Sequence, residues 1–208
     1  MLILAIDSAL DALGVALVRD GATLAAAQER MSRGQAERIA PLAQEIAQQA
    51  EIKFAEIDRI VVTKGPGSFT GVRVGLAFAR GLALSLSKPC VGISTLEALA
   101  LEEGADGLKA AVIETPGALY IALYENGAEA LAPRRCERAE VAELLTEAAR
   151  NRTFSIRGPG AETWAPQIPG AEGVAITAPD PVRLAHLGAT RDPALYRPDP
   201  MYLRPALI

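Results

Sequence analysis

The stretch TKGPGSFTGVRVG, residues 63–75, places several glycines beside hydroxyl side chains and an arginine. Glycine-rich turns between a strand and a helix often hold phosphate, because free backbone N–H groups at a helix start favour anions. The spacing matches neither standard phosphate motif. The P-loop, G-x-x-x-x-G-K-[ST], requires a lysine that is absent, and the dinucleotide motif, G-x-G-x-x-G, requires a glycine at Thr70, one place before Gly71. The favoured interpretation is therefore structural: Ser68 or Thr70 caps the helix, and the glycines supply backbone freedom.

Anion or nucleotide binding is the alternative, and five residues could contribute to it. Asp7 ends the first predicted strand, where actin-like and sugar-kinase folds often place an acid that positions a metal-bound nucleotide. The loop after Asp7 lacks residues that would hold phosphate, so a turn or capping role is at least as well supported. Arg73 lies in the first helical turn, where the helix dipole disfavours a cation, so an acidic group or phosphate is expected beside it. The possible anion contacts are Asp7, Gly67, Ser68, Thr70 and Arg73.

No catalytic or metal-binding constellation emerges from the remaining reactive residues. A Ser or Thr nucleophile needs a base within reach, and His186 is the one histidine of the chain. The two cysteines, Cys90 and Cys136, are 46 residues apart and form no CxxC pair, so a Cys/His zinc site cannot be assembled. We predict no catalytic residue, no metal and no cofactor.

Small residues recur along the helix that follows the glycine turn. Gly71, Gly75 and Ala79 repeat every four residues, and Gly81 follows. A glycine inside a helix costs about 1 kcal/mol relative to alanine, so this pattern indicates that another element approaches closely. The approaching element is either a strand of the same domain or a helix of another subunit.

Hydrophobic periodicity predicts the elements that hold these residues. Three strands begin the chain, joined in part by a tight Asp20-Gly21 turn. A helix follows, with Ile39, Leu42 and Ile46 on one face, and Pro41 either starts or kinks it. The order then continues as strand, helix from about Thr70 to Ser87, strand, and a helix capped by Thr95 and ended by Gly104. The first half therefore reads βββαβαβα, which is typical of a mixed sheet with helices packed on it.

The second half contains fewer clear signals. Two strands flank the hairpin dipeptide Asn126-Gly127, and a helix and the strand TFSIR lead into a second Gly-Pro-Gly at residues 158–160. This repeat of a strand followed by Gly-Pro-Gly suggests two related lobes. The proline-rich tail, 191–208, is expected to form an extended strap.

Composition limits the class of protein. The 208 residues carry a formal net charge of −4, which disfavours direct nucleic-acid binding by this chain alone, because nucleic-acid contact needs a basic face. The first residues have no basic segment before their short apolar run, so they are not a signal peptide. The longest later apolar stretch is shorter than a membrane span and includes Arg80. We predict a soluble cytoplasmic protein.

Four segments resemble one known family: LAIDS, RIVVTKGPGSFTGVRVGLAFARGLAL, GISTLEALA and PMYLR. Together they are similar to the TsaB family, also called YeaZ, for which GPGSFTG-x-R-x-G is a specific string. The resemblance is strong over residues 1–100 and thin afterwards, apart from the tail. It implies two actin-like (ASKHA or RNase H-like) lobes with mixed sheets and flanking helices. The expected divisions are 1–103, the partner-binding N-terminal lobe; 104–190, a smaller α/β lobe; and 191–208, the strap.

The resemblance also implies a function. Family members are non-catalytic partners of the paralogue TsaD and work with the ATPase TsaE to form threonylcarbamoyladenosine next to the anticodon of tRNAs. TsaD uses a metal held by histidines that this chain lacks. The expected cofactors are none, with an ATP contact at the partner interface as a further possibility, and the isolated chain is expected to form a homodimer. The alternative is a small-molecule ATPase or kinase of the actin-like superfamily.

Family members associate through the first two helices of the N-terminal lobe. The resemblance therefore places partner binding on faces of these helices, although some of the residues must also face their own core. Two departures from the family pattern are Glu114–Gly117, where relatives have a different turn, and Gln35, where a His-Ser pair is common. The predicted contact residues are Ile39, Leu42, Ile46, Gly71, Gly75 and Ala79.

Overall fold

The computed structural model describes residues 1–102, 104–115 and 117–203. Its strands and helices follow the predicted order through the first half of the chain. The strands are β1 (Leu2–Asp7), β2 (Ala12–Arg19), β3 (Ala22–Arg30), β4 (Arg59–Thr63), β5 (Cys90–Ile93), β6 (Leu108–Thr115), β7 (Ala118–Glu125), β8 (Ala128–Cys136), β9 (Phe154–Gly158) and β10 (Ala171–Ala175). The helices are α1 (Gln35–Gln49), α2 (Phe69–Leu86), α3 (Thr95–Ala100), α4 (Val141–Ala149), α5 (Ala161–Trp164) and α6 (Pro181–Ala189).

The strands form two five-stranded sheets with the same topology. The first has the order β3-β2-β1-β4-β5, and the second has the order β8-β7-β6-β9-β10. In each sheet the first three strands in sequence form an antiparallel meander. The fourth strand pairs in parallel with the first, and the fifth pairs in parallel with the fourth. The chain thus has two mixed sheets with flanking helices, as predicted.

Both predicted hairpin turns have the backbone that their sequences favour. Asp20 and Gly21 have φ values of 52° and 84°, and Asn126 and Gly127 have φ values of 49° and 81°. Two consecutive left-handed residues match the twist of the flanking strands, and Asx-Gly dipeptides adopt this conformation at low cost. These turns set the β2–β3 and β7–β8 registers.

The helices are distributed in layers around the two sheets. Helices α1 and α2 cover the outer face of the first sheet, and α4 and α5 cover the outer face of the second. The helices that follow the last strand of each sheet lie between the sheets. Helix α3 packs on β6, β7 and β9 of the second sheet, whereas α6 packs on the first sheet. The two halves therefore exchange one helix each.

This exchange bears on the predicted divisions of the chain. Residues 95–100 belong by sequence to the first predicted lobe, but they bury Leu96 and Leu99 against the second sheet. Residues 181–189 bury Leu184 against the first sheet. The divisions at 103/104 and 190/191 stay predictions, and residue 103 lies outside the described residues.

Some elements differ from the sequence predictions. Helix α1 begins at Gln35 and continues through Pro41, so the proline is not in its first turn. The N-cap of α3 is Ser94, so Thr95 is the first helical residue and the prediction of a Thr95 cap is wrong. The structure adds α5, β10 and α6, which the sequence reading did not assign, because the first two are only four and five residues long.

The tail up to residue 203 runs without helix or strand over the first sheet. The Gly92 N–H donates to the Tyr196 carbonyl (2.8 Å), and the Met201 N–H donates to the Lys64 carbonyl (2.8 Å). A Cβ on Gly92 would lie 2.6 Å from the Arg197 carbonyl oxygen, so the missing side chain lets the tail cross β5. Residues 204–208 of the predicted strap lie outside the described residues.

Candidate functional site

The Gly-Pro-Gly turn connects β4 to α2. Gly65 has a φ of 93°, which favours glycine, and the Gly65–Pro66 peptide is cis. The Gly65 carbonyl accepts a hydrogen bond from the Thr95 N–H (2.9 Å), which fixes the turn to the start of α3. Ser68 is the N-cap of α2, and its hydroxyl accepts from the Gly71 N–H (3.3 Å). Of the two predicted caps, Ser68 is therefore the one that the structure uses.

The loop after β1 lies directly against this turn and against α2. The Ser68 N–H donates to the Ala9 carbonyl (2.7 Å), and the Ser8 hydroxyl donates to the Gly71 carbonyl (2.8 Å). A Cβ on Gly67 would lie 2.1 Å from the Ala9 carbonyl oxygen. A Cβ on Gly71 would lie 2.1 Å from the Ser8 carbonyl oxygen, and one on Gly75 would lie 2.4 Å from the Ser8 hydroxyl. The element that approaches these glycines therefore belongs to the same chain.

Asp7 lies at the end of β1 and is completely buried. Its Oδ1 accepts from the Thr63 hydroxyl (2.6 Å) and from the Ala9 N–H (3.2 Å). Its Oδ2 has no hydrogen-bond partner among the described residues. Burial raises the pKa of Asp7 to about 6, against the opposing effect of the two hydrogen bonds. Asp7 is thus held by the end of β4 and by the loop that follows β1, and its Oδ2 is unpaired among the described residues.

A cleft of about 580 Å³ separates the glycine turn from the second half of the chain. Gly67 and Ser68 line it, but Asp7, Thr70 and Arg73 do not. The charged residues of its lining are one cation, Arg30, and two carboxylates, Asp11 and Glu114. This balance opposes a free phosphate group. The cleft is lined by Leu10, Asp11, Arg30, Gly67, Ser68, Phe69, Glu114, Thr115, Ala118, Tyr120, Pro159 and Thr177.

Arg73 lies on the outer side of α2, away from that cleft. Its guanidinium carbon is 3.7 Å from the centre of the Phe69 ring, and its Nε donates to the Tyr202 hydroxyl (3.2 Å). A cation over an aromatic face is attracted by the ring's negative face. The expected acidic neighbour of Arg73 is therefore wrong for the described residues, since an aromatic pair contacts it instead. The five predicted anion contacts do not converge on one point.

The six predicted partner contacts face the core of this chain. Their side chains or backbone pack between α1, α2 and the first sheet, and all are buried. In this structure a partner cannot reach these six positions. They are therefore core residues, and a contact surface on the same two helices must consist of other residues. Association through the two helices stays a prediction. The buried positions are Ile39, Leu42, Ile46, Gly71, Gly75 and Ala79.

The exposed side of α2 carries apolar residues and two arginines. Phe69 is 60% exposed and Leu84 is 82% exposed. Ala77 and Gly81 are also exposed and share a face with Leu84, because they precede it by seven and three residues. A Cβ on Gly81 would meet no atom within 4 Å, so the fold of this chain does not require a glycine there.

Helix α2 has a mean hydropathy of 1.3 over its 18 residues, and 33% of that window is buried. By length and composition it would pass as a membrane span, but one such helix is weak evidence because core helices pass the same test. Its buried stripe packs on the first sheet.

The two departures from the family pattern lie in different environments. Gln35 is buried at the start of α1, where its side-chain amide donates to the Met31 carbonyl (3.1 Å). Glu114 pairs with Arg138 at the edge of the cleft. Pro116, within the second departure, lies outside the described residues. Gln35 thus has a local structural role at the first helix turn.

The residues that sequence reasoning missed are mostly contact partners of those it found. Ser8 was not singled out, although it contacts both Gly71 and Gly75, and Tyr202 was not linked to Arg73. A hydroxyl directly after Asp7 was the available signal for Ser8. No sequence signal connects Arg73 with Tyr202, because the contact depends on the path of the tail.

With this geometry established, comparison with known proteins identifies the family. The family model described as TsaD, tRNA N6-adenosine threonylcarbamoyltransferase, matches residues 27–132, just over half of the 208 residues. The chain belongs to this family. The TsaB proteins of Escherichia coli (strain K12) and Bacillus subtilis (strain 168) are 41% and 35% identical to the chain over 134 and 127 residues. These alignments cover 61% and 60% of this chain but only 58% and 56% of the relatives.

Solved structures give the same result over nearly the whole chain. YeaZ from Pseudomonas aeruginosa has a TM-score of 0.70 at 25% identity, covering 97% of this chain and 99% of that one. A second Pseudomonas aeruginosa protein, described as similar to peptidase YeaZ, has a TM-score of 0.81 at 26% identity, with coverage of 98% and 99%. The predicted resemblance to the TsaB (YeaZ) family is thereby confirmed.

The fold class is confirmed as well. EutJ from Carboxydothermus hydrogenoformans has a TM-score of 0.55 at 14% identity and covers 88% of each chain, which supports a likeness of fold alone. Together with the YeaZ structures, it agrees with the predicted pair of actin-like (ASKHA or RNase H-like) lobes. The names of the TsaB relatives support a role in tRNA threonylcarbamoyladenosine biosynthesis.

Proposed function

We propose that this TsaB-family chain is a non-catalytic subunit that binds and activates TsaD. In this proposal TsaD, aided by TsaE, forms threonylcarbamoyladenosine next to the anticodon of tRNAs, and tRNA is reached only through the complex. The cytoplasmic location belongs to the same proposal. The observation that carries it is the exposed apolar face of α2, above all Gly81.

Gly81 supports a partner because its own fold gives it no reason to be glycine. Gly71 and Gly75 are explained by the Ser8 loop, which leaves no space for a Cβ. At Gly81 the space is open, yet the helix still bears the cost of a glycine, about 1 kcal/mol relative to alanine. A second helix packed closely against Ala77, Gly81 and Leu84 would account for this composition.

The proposed partner surface therefore lies on the solvent-exposed faces of α1 and α2, because their other faces are buried in the core of this chain. On α1, which packs against α2, the exposed positions include Glu37, Pro41 and Gln44. Arg73 and Arg80 border the apolar face of α2, so a partner with apolar residues between carboxylates would complement it. The same face would serve the predicted homodimer, which would then compete with TsaD.

A reconstitution experiment tests the activating role. Purified TsaD and TsaE would be given tRNA and the threonylcarbamoyl donor, with or without this chain, and modified adenosine would be quantified. We expect product formation to require the chain and to rise with its concentration until TsaD is saturated. Equal product formation without the chain would contradict the proposal.

The alternative, a small-molecule ATPase or kinase, is tested on the isolated chain. Its nearest structural basis is the unpaired Oδ2 of Asp7, although the cleft carries more carboxylates than cations. Titration of Mg-ATP with measurement of heat and released phosphate separates the two functions. We expect neither tight binding nor hydrolysis by the chain alone. Hydrolysis abolished by Asp7→Asn would favour the enzyme. An ATP contact at the partner interface would appear only when TsaD is added.

A further inference from the structure

A second pocket lies beneath the tail, separate from both the cleft and the exposed face of α2. Its volume is about 290 Å³, near the lower end of the range for small-molecule sites. It adjoins the carboxyl ends of two parallel strands, since Lys64 follows β4 and Ser94 follows β5. Open α/β sheets commonly bind ligands outside the carboxyl ends of their strands. The lining residues are Lys64, Ser94, Glu97, Tyr124, Gly127, Ala128, Glu129, Leu195, Tyr196 and Met201.

The polar groups at the base of this pocket are buried but incompletely paired. Tyr124 is 2% exposed and Ser94 is 4% exposed. Their hydroxyls interact with each other, but among the described residues neither has a further well-formed hydrogen bond. Burial raises the pKa of Tyr124, so its hydroxyl stays protonated near neutral pH. Buried polar groups are normally satisfied, and these two hydroxyls lack a further partner. Both oxygens are closed to solvent in this structure, so a polar ligand would bond them after a small movement of the pocket wall.

The charged groups that line the pocket differ in whether they form a direct ion pair. The Glu97 carboxylate accepts from the Arg191 guanidinium (2.6 Å), and Arg191 also lies 4.9 Å from the centre of the Tyr196 ring. Neither the Lys64 ammonium nor the Glu129 carboxylate has an ion pair within the described part of the chain. The Glu97 carboxylate nevertheless acts on both groups, attracting Lys64 and repelling Glu129. A cation and an anion without direct ion-pair partners would recognise a ligand that carries both charges.

The remaining walls are apolar or small. Leu195 and Met201 come from the tail, and Ala128 comes from the β7–β8 hairpin. Within the described ranges, no group of three or more His, Cys, Asp and Glu side chains is placed to hold a metal ion. The pocket itself has two carboxylates, Glu97 and Glu129, and we assign Glu129 to an ammonium group rather than to a metal. We propose that this pocket binds a small α-amino acid with an aliphatic side chain.

In the bound state, the ligand carboxylate pairs with Lys64 and its ammonium group pairs with Glu129. The Tyr124 and Ser94 hydroxyls complete the hydrogen bonds at the base, and the aliphatic side chain contacts Leu195 and Met201. The Met201 N–H is bonded to the Lys64 carbonyl, so ligand binding would also hold the tail against the first sheet. This site is independent of the proposed contact with TsaD.

Calorimetric titration of the full chain tests the ligand class. The probes are L-leucine, L-leucine amide, which lacks the carboxylate, and 4-methylpentanoate, which lacks the ammonium group. We expect saturable binding of L-leucine and at least about tenfold weaker binding of each analogue, because each loses one charge-assisted hydrogen bond. No saturable binding of L-leucine up to about 10 mM, or equal binding of all three probes, would overturn the proposal.

Two substitutions test the residues. We expect Lys64→Met to weaken L-leucine binding about tenfold while changing L-leucine amide binding little. Glu129→Gln should weaken L-leucine similarly while changing 4-methylpentanoate binding little. Matched controls are Lys53→Met and Glu172→Gln, at exposed positions outside the pocket. Unchanged L-leucine binding by both pocket variants would contradict the assignment. If a variant unfolds, the three-probe comparison on the unmodified chain decides.

Discussion

In the first half of the chain the Gly-Pro-Gly turn leads into the 18-residue helix α2, whereas in the second half it leads into the four residues of α5. Both turns lie against the first strand of their own sheet or the loop that follows it. Gly67 lies against Ala9, just after β1, and Gly160 lies against Val112 in β6. The duplicated turn therefore serves the fold in both halves, whereas a long helix with an exposed apolar face follows it in the first half.

A second difference concerns the buried acid. In the first sheet Ile6 pairs with Val62, three residues before its Gly-Pro-Gly, and Asp7 comes next. In the second sheet Lys109 pairs with Ser155, three residues before the other turn, and Ala110 comes next. The same place thus holds a carboxylate in one half and a methyl group in the other. Because the second sheet forms with Ala110 at this position, the shared fold does not require an acid there. Asp7 therefore has a role that is specific to the first half.

The largest expected effect comes from adding a methyl group at the last glycine of each turn. We predict that Gly67→Ala lowers the free energy of unfolding by about 3 kcal/mol, because the new Cβ meets a backbone carbonyl oxygen that also accepts a hydrogen bond. Gly160→Ala should cost only about 1 kcal/mol, because its nearest atom is the Cγ1 of Val112, which can shift slightly. Urea unfolding measures both, and equal losses would show that the two turns are equally constrained.

The buried acid gives the next effect, through pH. The native pKa of Asp7 is about 6, above its ordinary value of 3.8, so the native state binds the proton more tightly than the unfolded state does. The Asp7 contribution is therefore favourable at low pH and is lost as pH rises from about 4 to 6, at a cost of about 2–3 kcal/mol.

Asp7→Asn should remove this part of the pH dependence and stabilise the protein above pH 6. The measurement is the free energy of unfolding by urea between about pH 4 and pH 7. Asp11→Asn, at an exposed position in the same loop, is the control and should leave the Asp7 contribution in place. A pH dependence that is the same in Asp7→Asn and in the unmodified chain would contradict the account of the buried carboxylate.

The smallest expected effect is a difference in sign between alanine substitutions at two glycines of α2. We predict that Gly81→Ala raises the free energy of unfolding by up to about 1 kcal/mol, because alanine favours the helix and the space is open. Gly75→Ala should lower it, because the Ser8 hydroxyl would have to move away from the new Cβ. Thermal unfolding of the two variants checks the signs. Destabilisation by Gly81→Ala would mean that the isolated fold does require this glycine.

The sequence predicted the elements of the first half well because their signals are local. Asp20-Gly21 specifies a hairpin, and apolar periodicity specifies α1 and α2; in the second half, Asn126-Gly127 gives an equally local hairpin signal. The repeated Gly-Pro-Gly correctly suggested two related halves, which the shared strand order supports. The packing of α3 on the second sheet and of α6 on the first could not be predicted, because the apolar residues of a short helix do not indicate which sheet they contact.

The site was predicted less well than the fold, for a related reason. A glycine in a helix signals close approach but does not identify what approaches. Gly71 and Gly75 were assigned to a partner, yet Ser8 of the same chain fills that space. Gly81 differs only in what surrounds it in three dimensions. Likewise, Arg73 signalled a compensating group, but that group proved to be aromatic.

The central claim is that the exposed face of α2 binds TsaD, and the affinity of TsaD for two tryptophan variants tests it most directly. Gly81→Trp fills the open space on α2 without touching the core, and Glu147→Trp adds the same bulk to an exposed position of α4 in the second half. By calorimetry, we predict at least tenfold weaker binding for Gly81→Trp, about 1.4 kcal/mol, and unchanged binding for Glu147→Trp. Unchanged affinity of a folded Gly81→Trp variant would contradict the account.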